Sequence, residues 1–323
     1  MERRRFLAMM TGGLLAAPLA GGAQGVKVSR IGVLLGLTNP EHAQAGFREG
    51  LRELGYVDGQ NILLEYRSAV GETDRLTDLA ADLVQRKVDI IVADGTLATQ
   101  AAKRATTEIP IVMTRAGDPI GTRLIESLAR PGGHVTGVSS ATGDLGGKLL
   151  ELIREVRHPM TRVAVLAHAT GPFAQAFVEQ IQSAASRVRV RIQRVVARNA
   201  EEFDGALAAM VKERAAGVVV QPILANKSAA DLALKHRLPS ITTGVGLGTF
   251  PELGGLMSYG SNPQEFYRRA ALSVDKIIKG SRPADLAVEQ PTKFDLVVNF
   301  TTAKALGLTI TRSLLARADQ VIE

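Results

Sequence analysis

Several residues that could hold a small charged molecule follow apolar runs of the sequence. Gly95 and Thr96 come after the run Asp89–Val92, and Asp118 comes after the run Ile109–Met113. A glycine lets backbone approach a ligand, free amides at a helix start favour an anion, and a carboxylate pairs with an ammonium group. These residues therefore predict a site for a ligand that carries both charges. Thr96 and Asp118 have a second interpretation, as caps of the helices that follow them.

Five further candidate ligand-binding residues lie at other predicted strand ends or in a loop. Thr38 follows the first apolar run, and Tyr259 lies in the glycine-rich segment GGLMSYGSN. The second half of the chain contributes His168, Pro222 and Thr243. His168 could contact a ligand or simply face solvent, and Tyr259 could contact a ligand or pack a hinge. Loops that follow parallel strands meet at one edge of a sheet, so these residues can share one cleft.

Motifs of the common enzyme classes are missing from the sequence. Gly146-Gly147-Lys148 is followed by leucine instead of serine or threonine, and neither G-x-S-x-G nor H-E-x-x-H occurs. The absence of cysteine excludes disulfides, thiolate metal sites and a cysteine nucleophile. We therefore predict a protein that binds its ligand without catalysis and without a metal or another cofactor.

Short apolar runs alternate with amphipathic stretches along the first half of the chain. Hydrophobic residues make up 46% of the sequence and charged residues 22%, which is ordinary for a folded protein. Strands that alternate with helices imply βαβ units, α/β architecture and a parallel sheet. The predicted strands are Arg30–Leu35, Asn61–Tyr66, Asp89–Val92, Ile109–Met113 and Val135–Val138, and the predicted helices are Glu41–Leu54, Asp74–Arg86, Leu97–Arg104 and Ile120–Leu128.

The second half of the chain repeats this scheme. RIGVLL at Arg30 corresponds to RVAVLA at Arg162, VDIIVA to AGVVVQ and EIPIVMT to RLPSITT, each about 130 residues further on, which is close to one domain length. We predict two similar doubly wound parallel-sheet lobes, and the alternative is one long sheet. The repeated strands are Arg162–Leu166, Val188–Val195, Gly217–Val220 and Pro239–Thr242, and the helices are Lys148–Val156, Phe173–Ser186, Glu201–Arg214 and Ala229–Lys235.

Three late elements follow the two complete lobes. They are a helix pattern at Pro263–Lys279, a strand pattern at Phe294–Asn299 and a short helix at Thr302–Leu306. The chain must then cross between the lobes repeatedly, which makes a hinge and permits closure around a ligand. We predict a first lobe of residues 26–142 plus 260–286 and a second lobe of residues 143–259 plus 287–323.

The first 23 residues have the pattern of an export signal. MERRRFL is a basic start, an apolar stretch runs from Leu7 to Ala20, and small residues place a cleavage site after Ala23. The apolar stretch is too short to span a membrane. Three arginines followed by Phe-Leu fit the twin-arginine export pattern, and a Sec signal is the alternative. We predict that the mature protein is periplasmic.

A formal charge of +7 raises the question of nucleic-acid binding. The densest basic stretch runs from Arg187 to Arg194 and alternates arginine with valine or isoleucine, which is the period of a half-buried strand. Aromatic residues that could stack on bases are not interleaved with these arginines. We interpret the stretch as a surface strand and predict no nucleic-acid partner.

Long motifs give the chain a family resemblance over nearly all of its mature length. They include FREGLRELGYVDGQNILLEYR, IPIVMTRAGDPIGT, SLARPGGHVTGVS and PADLAVEQPTKFDLVVNFTTAKALGLTI. The chain resembles the ABC-transporter substrate-binding family related to the tryptophan/tyrosine-binding importer components. The resemblance implies the type I periplasmic-binding-protein fold with three interlobe crossovers, an ABC permease and its ATPase as partners, and an amino-acid-like, aromatic ligand. The segments Ala167–Gly171 and Gly244–Phe250 depart from the family pattern, which leaves the identity of the ligand open.

The sequence leaves two other functions open. A periplasmic sensory module that reports ligand occupancy to a membrane receptor would share the fold and differ in its partner. An α/β enzyme, such as a sugar-processing hydrolase, would show turnover. A repressor of similar fold is disfavoured, because too few residues precede Arg30 for a helix-turn-helix domain. We predict a monomer.

Overall fold

The protein contains two sheets flanked by helices, as seen in a computed structural model. The structure describes residues 28–36, 40–69, 72–140, 145–171, 173–244 and 249–323. The export signal predicted at residues 1–23 and the candidate Thr38 lie outside the described residues. Within these ranges, none of the helices has the length and hydropathy that a membrane span requires.

The strands of the described residues form two separate sheets. The first sheet consists of β1 (Ser29–Leu35), β2 (Ile62–Ser68), β3 (Ile90–Asp94), β4 (Ile111–Ala116) and β5 (Val135–Ser139). The second consists of β6 (Arg162–His168), β7 (Arg191–Ala197), β8 (Val218–Val220), β9 (Ser240–Thr242), β10 (Met257–Gly260), β11 (Asp295–Asn299) and β12 (Gln320–Ile322). The strand orders are β2-β1-β3-β4-β5 and β12-β11-β10-β9-β8-β6-β7. The pair β10–β11 is antiparallel and the other pairs are parallel, so the predicted pair of parallel sheets is confirmed and one long sheet is wrong.

Helices connect these strands and cover both faces of each sheet. They are α1 (Pro40–Glu53), α2 (Leu76–Gln85), α3 (Gly95–Ala105), α4 (Gly146–Val156), α5 (Ala174–Arg187), α6 (Phe203–Lys212), α7 (Lys227–Lys235), α8 (Pro263–Ile278), α9 (Phe300–Ala305) and α10 (Arg312–Arg317). Parallel strands need such crossover connections, and the helices bury the apolar side chains on both sheet faces.

The core of the first unit lies on both faces of its sheet. Phe47 and Leu51 of α1 and Tyr267 of α8 are buried on one face, and Leu83 of α2 and Ala98 of α3 are buried on the other. Phe47 and Leu51 are four residues apart and therefore project from the same side of α1. Helix α8, which comes late in the chain, thus completes the first unit.

The second unit has the same layered core. Helices α4, α5, α9 and α10 cover one face of its sheet, where Phe177 of α5 is buried, and α6 and α7 cover the other, where Phe203 of α6 is buried. Strands β11 and β12 extend the sheet beyond β10.

The chain passes between the two units three times, as the family resemblance implies. The passages follow β5, β10 and α8. Before the third passage, Glu289 N donates to Gly137 O and Ser139 N donates to Glu289 O, both at 2.9 Å. Ser261 Oγ donates to Lys293 O at 2.9 Å, which joins the second passage to the third. The connecting segments therefore lie beside one another.

One predicted element is wrong, and three observed elements are not predicted. The segment Ile120–Leu128 forms turns instead of a helix: Thr122 N donates to the Asp118 carbonyl, and Arg123 has a φ of +57°. Leu124 in this segment is buried, so its apolar spacing reflects burial without helical structure. The other predicted elements have observed counterparts with slightly shifted ends. Strands β10 and β12 and helix α10 are absent from the prediction.

Candidate ligand-binding site

A cavity of about 300 Å³ lies between the carboxyl ends of the two sheets. Open α/β sheets bind ligands at this edge, and the volume is at the small end of known ligand pockets. Both units and the passages between them contribute walls, so neither unit forms the cavity alone. The lining includes Gly36, Asp94, Gly95, Thr96, Arg115 and Gly117 from the first unit, Phe173, Gln221, Pro222, Thr242, Thr243 and Gly260 from the second, and Ser140 and Ser261 from the passages.

An ion pair with bidentate geometry lies at the cavity wall. Arg115 Nε is 2.8 Å from Asp94 Oδ1, and Arg115 Nη2 is 2.6 Å from Asp94 Oδ2. Thr114 Oγ1 also donates to Asp94 Oδ1, at 3.0 Å. Asp94 ends β3 and pairs with Thr114 in the neighbouring strand β4, so the strand order brings these residues together. Charge-assisted forked contacts of this kind are strong and directional.

The environment keeps Arg115 charged. Its side chain is 28% exposed, whereas that of Asp94 is 1% exposed. Burial alone would lower the pKa of Arg115, but the Asp94 carboxylate and the Tyr267 hydroxyl outweigh that effect and hold the pKa above its usual value. The φ of Arg115 is +52°, a conformation that costs a non-glycine residue about 1–3 kcal/mol and persists where its surroundings enforce it.

Helix α3 begins at the cavity. Its first residue, Gly95, has a φ of +84°, which glycine adopts without strain, and the side chain of Asp94 does not cap the helix. Thr96 Oγ1 accepts a hydrogen bond from Gly117 N at 3.0 Å. This bond joins the start of α3 to the loop after β4, so both strand ends are held in one arrangement.

Apolar side chains complete the cavity and bring the units into contact. Gly117 of the first unit lies against Phe173 of the second, so that a β-carbon at Gly117 would be 2.7 Å from the ring. The apolar lining consists mainly of Leu97, Leu145, Phe173, Ile223, Phe250 and Phe266. A ligand in this cavity would therefore meet apolar surface from both units.

The structure brings half of the candidate residues from the sequence together. Gly95 and Thr96 line the cavity from the first unit, and Pro222 and Thr243 line it from the second. These positions follow β3, β8 and β9, as expected of loops at the carboxyl ends of parallel strands. Their contact with a ligand stays a prediction.

Asp118, His168 and Tyr259 are not among the described residues that line the cavity. Asp118 Oδ1 accepts from Gly121 N at 2.9 Å, which caps a turn. His168 Nδ1 accepts from a nearby backbone amide at 3.3 Å. The Tyr259 ring stacks on Phe294 with 6.0 Å between the ring centroids. These contacts are made within the protein, and the ligand roles of the three residues stay predictions.

Asp94, Arg115 and Gln221 are among the lining residues that were not candidates in the sequence analysis. Asp94 directly precedes the candidate Gly95 and Arg115 lies three residues before the candidate Asp118, but their pairing depends on β3 and β4 being neighbours. Gln221 directly follows β8 and is buried, and its Oε1 accepts a hydrogen bond from His168 N at 2.7 Å. All three residues follow the predicted strands Asp89–Val92, Ile109–Met113 and Gly217–Val220 in the sequence, and this position was the available signal.

The chemistry of the site suits noncovalent binding of a small molecule with polar and apolar parts. Among the lining residues that the structure describes, Asp94 and Arg115 alone have ionisable side chains, and threonine, serine and glutamine supply neutral hydrogen-bonding groups. Across the described ranges, no group of three or more histidine, aspartate or glutamate side chains is arranged to hold a metal ion.

Comparison with known proteins relates the chain to ligand-binding proteins. A family model described as "ABC transporter substrate binding protein" matches residues 31–322. A tyrosine-binding protein of Clostridioides difficile is 25% identical over 287 residues, which cover 87% of this chain and 82% of the relative.

Two solved structures share the fold closely. A conserved domain protein from Vibrio cholerae has a TM-score of 0.82 and 26% identity, with 91% of this chain and 100% of that chain covered. An ABC domain from Streptococcus pneumoniae in complex with L-Trp has a TM-score of 0.82 and 25% identity, with the same coverage of both chains. The fold is therefore that of type I periplasmic binding proteins.

Proposed function

The chain belongs to the ABC transporter substrate-binding protein family, and we propose that it is the extracytoplasmic solute-binding component of an ABC importer. The observation that carries this proposal is the cavity between the carboxyl ends of the two sheets, with walls from both units. A ligand in such a cavity contacts both units at once and can favour their closed arrangement. The permease and ATPase would receive the ligand from the closed form.

We expect the ligand to be a small amino-acid-like molecule with a carboxylate, an amine and an aromatic or branched side chain. The cavity of about 300 Å³ has polar groups at the strand ends and apolar side chains around them. A relative is named for tyrosine, and a solved neighbour contains L-Trp, which supports an aromatic ligand.

Ligand binding would act through hinge closure. We propose that residues 26–142 plus 260–286 and residues 143–259 plus 287–323 move as two lobes about the three passages. Gly117 of the first lobe lies against Phe173 of the second, and we expect the closed form of the cleft to have this contact. Such closure is the usual motion of this class of fold.

Small-angle scattering should show this closure directly. We expect a thermal-shift screen of amino acids and other small metabolites to identify a binder, and saturation with that binder to reduce the radius of gyration. A screened compound that gives no thermal shift serves as the control and should leave the scattering profile unchanged. Identical profiles with and without a bound ligand would contradict hinge closure.

The proposed location is the periplasm, reached by the twin-arginine route. Conservative replacement of the consecutive arginines, Arg3→Lys together with Arg4→Lys, should block export, because that route requires both arginines. Cell fractionation followed by immunoblotting measures the periplasmic yield, and Arg5→Lys is a matched control that keeps both residues. Normal yield of the double variant would exclude the twin-arginine route and leave Sec export.

We further propose that the protein acts as a monomer, without catalysis and without a cofactor. The neutral hydrogen-bonding groups and the ion pair among the described lining residues support binding, as do a relative named for tyrosine and a solved neighbour that contains L-Trp.

A further inference from the structure

The position of Arg115 depends on an irregularity in β4. The register between β4 and β5 shifts between Met113 and Ala116, and Arg115, inside that interval, has a φ of +52°. Irregularities of this kind redirect side chains and are common beside functional sites. Here the redirected guanidinium meets Asp94 at the end of β3 and lies at the cavity wall.

Both residues of this ion pair line the cavity, and the arginine side chain is the more exposed of the two. The Asp94 carboxylate accepts hydrogen bonds from Arg115 and Thr114, and its side chain is 1% exposed. The Arg115 side chain is 28% exposed. Arg115 also interacts with the Tyr267 hydroxyl. A guanidinium carries N–H donors in a planar fork that matches the geometry of a carboxylate.

Two other features make the same corner of the cavity favourable for an anion. Helix α3, which has 11 residues, begins at Gly95 and directs its positive end towards the cavity. The remaining described lining residues have no ionisable side chains, so the exposed charge of the lining is the guanidinium. Apolar side chains such as Leu97 and Phe266 also line the cavity and would cover the rest of the ligand.

We propose that Arg115 binds the carboxylate of the ligand and that Asp94 is the residue that positions Arg115. The cleft would then take small carboxylates with an apolar body. This inference rests on the proposed function, because it names the ligand class of the same cavity.

Calorimetric titration of the mature protein with matched pairs of probes tests the role of the carboxylate. L-tryptophan and tryptamine, and L-tyrosine and tyramine, differ only by that group. We expect the amino acid of a pair that binds to bind at least about tenfold more tightly than its amine, since a charge-assisted bond is lost. Branched amino acids and their 2-oxo acids extend the set of carboxylates.

Variants of the ion pair test the role of Arg115. The double variant Asp94→Asn/Arg115→Gln keeps hydrogen-bonding amides and should bind the carboxylates about 10- to 100-fold more weakly. The variant Asp94→Asn keeps the cation and should lose less. Arg282 and Asp285 form a bidentate pair on the surface, so Arg282→Gln/Asp285→Asn is a matched control that should bind like the wild type. Thermal melting checks that the variants are folded. If the double variant is not folded, the titrations of the wild type with the probe pairs still decide whether the ligand carboxylate contributes to binding.

Several outcomes would overturn the inference. Equal affinity for an amino acid and its amine would show that the carboxylate does not contribute to binding. Unchanged affinity of the double variant would show that Arg115 does not bind the ligand. An equal loss in Asp94→Asn and in the double variant would assign the effect to Asp94. A protein that closes around neutral compounds alone would contradict this inference and leave the proposed function standing, whereas a protein that binds no small molecule would contradict both.

Discussion

Replacing Arg115 with methionine is expected to lower the free energy of unfolding by about 3–5 kcal/mol. Methionine keeps much of the length of the side chain but removes its charge. Asp94, with 1% of its side chain exposed, would then remain buried without its counter-charge. An uncompensated buried charge has neither water nor an ion partner, which accounts for the size of the effect. Urea unfolding followed by circular dichroism measures it.

Two comparison variants show whether the loss of stability comes from the buried Asp94 charge or from removing an arginine in general. Asp94→Asn/Arg115→Gln should be less destabilised than Arg115→Met, because it leaves no buried charge and keeps hydrogen-bonding groups. Arg282→Met breaks a pair of similar geometry on the surface and should change stability little. Equal, small losses in Arg115→Met and Arg282→Met would mean that the Asp94 carboxylate reaches water.

The architecture could be predicted because its signals are local and repeated. The runs RIGVLL and RVAVLA became β1 and β6, and the helical pattern at Pro263–Lys279 became α8. Strands buried on both faces read as continuous apolar runs, which is the strongest pattern a parallel sheet offers. The chain also crosses between the units, as these late elements predict.

Elements with weak local signals were missed. Strand β12 has three residues, and its Gln320 and Val321 are exposed, so it lacks an apolar pattern. Strand β10 lies in a segment rich in glycine and serine, and its neighbours β9 and β11 supply its hydrogen bonds. Pairing between distant segments determines such strands, and a single sequence does not display it.

The site was predictable in position and not in its contacts. Gly95 and Thr243 line the cavity because the carboxyl ends of parallel strands converge. The Asp94–Arg115 pair, by contrast, requires that β3 and β4 be neighbours and that β4 be irregular before Ala116. Neither condition is a property of residues close in sequence, so the charged group of the cavity emerged only from the structure.

Replacing Gly137 with alanine is expected to lower the free energy of unfolding by about 3–5 kcal/mol, from backbone strain and overlap together. Gly137 lies in β5 with a φ of +126°, which disfavours any side chain. A β-carbon there would be 2.1 Å from the carbonyl oxygen of Met113 and 2.7 Å from its nitrogen. These are backbone atoms of the neighbouring strand β4, so no side-chain rotation relieves the overlap. Chemical denaturation of the purified variant measures the loss.

Gly133→Ala separates the two causes. Gly133 has a similar φ of +134°, but a β-carbon there would meet nothing within 4 Å, so this variant should lose only about 1–3 kcal/mol, from strain. The additional loss in Gly137→Ala measures the overlap with β4. Equal losses would show that β4 moves away from β5 at little cost. Arg115 follows Met113 by two residues in β4, so a movement of β4 would also displace the guanidinium. Weaker carboxylate binding by Gly137→Ala than by Gly133→Ala would reveal this displacement.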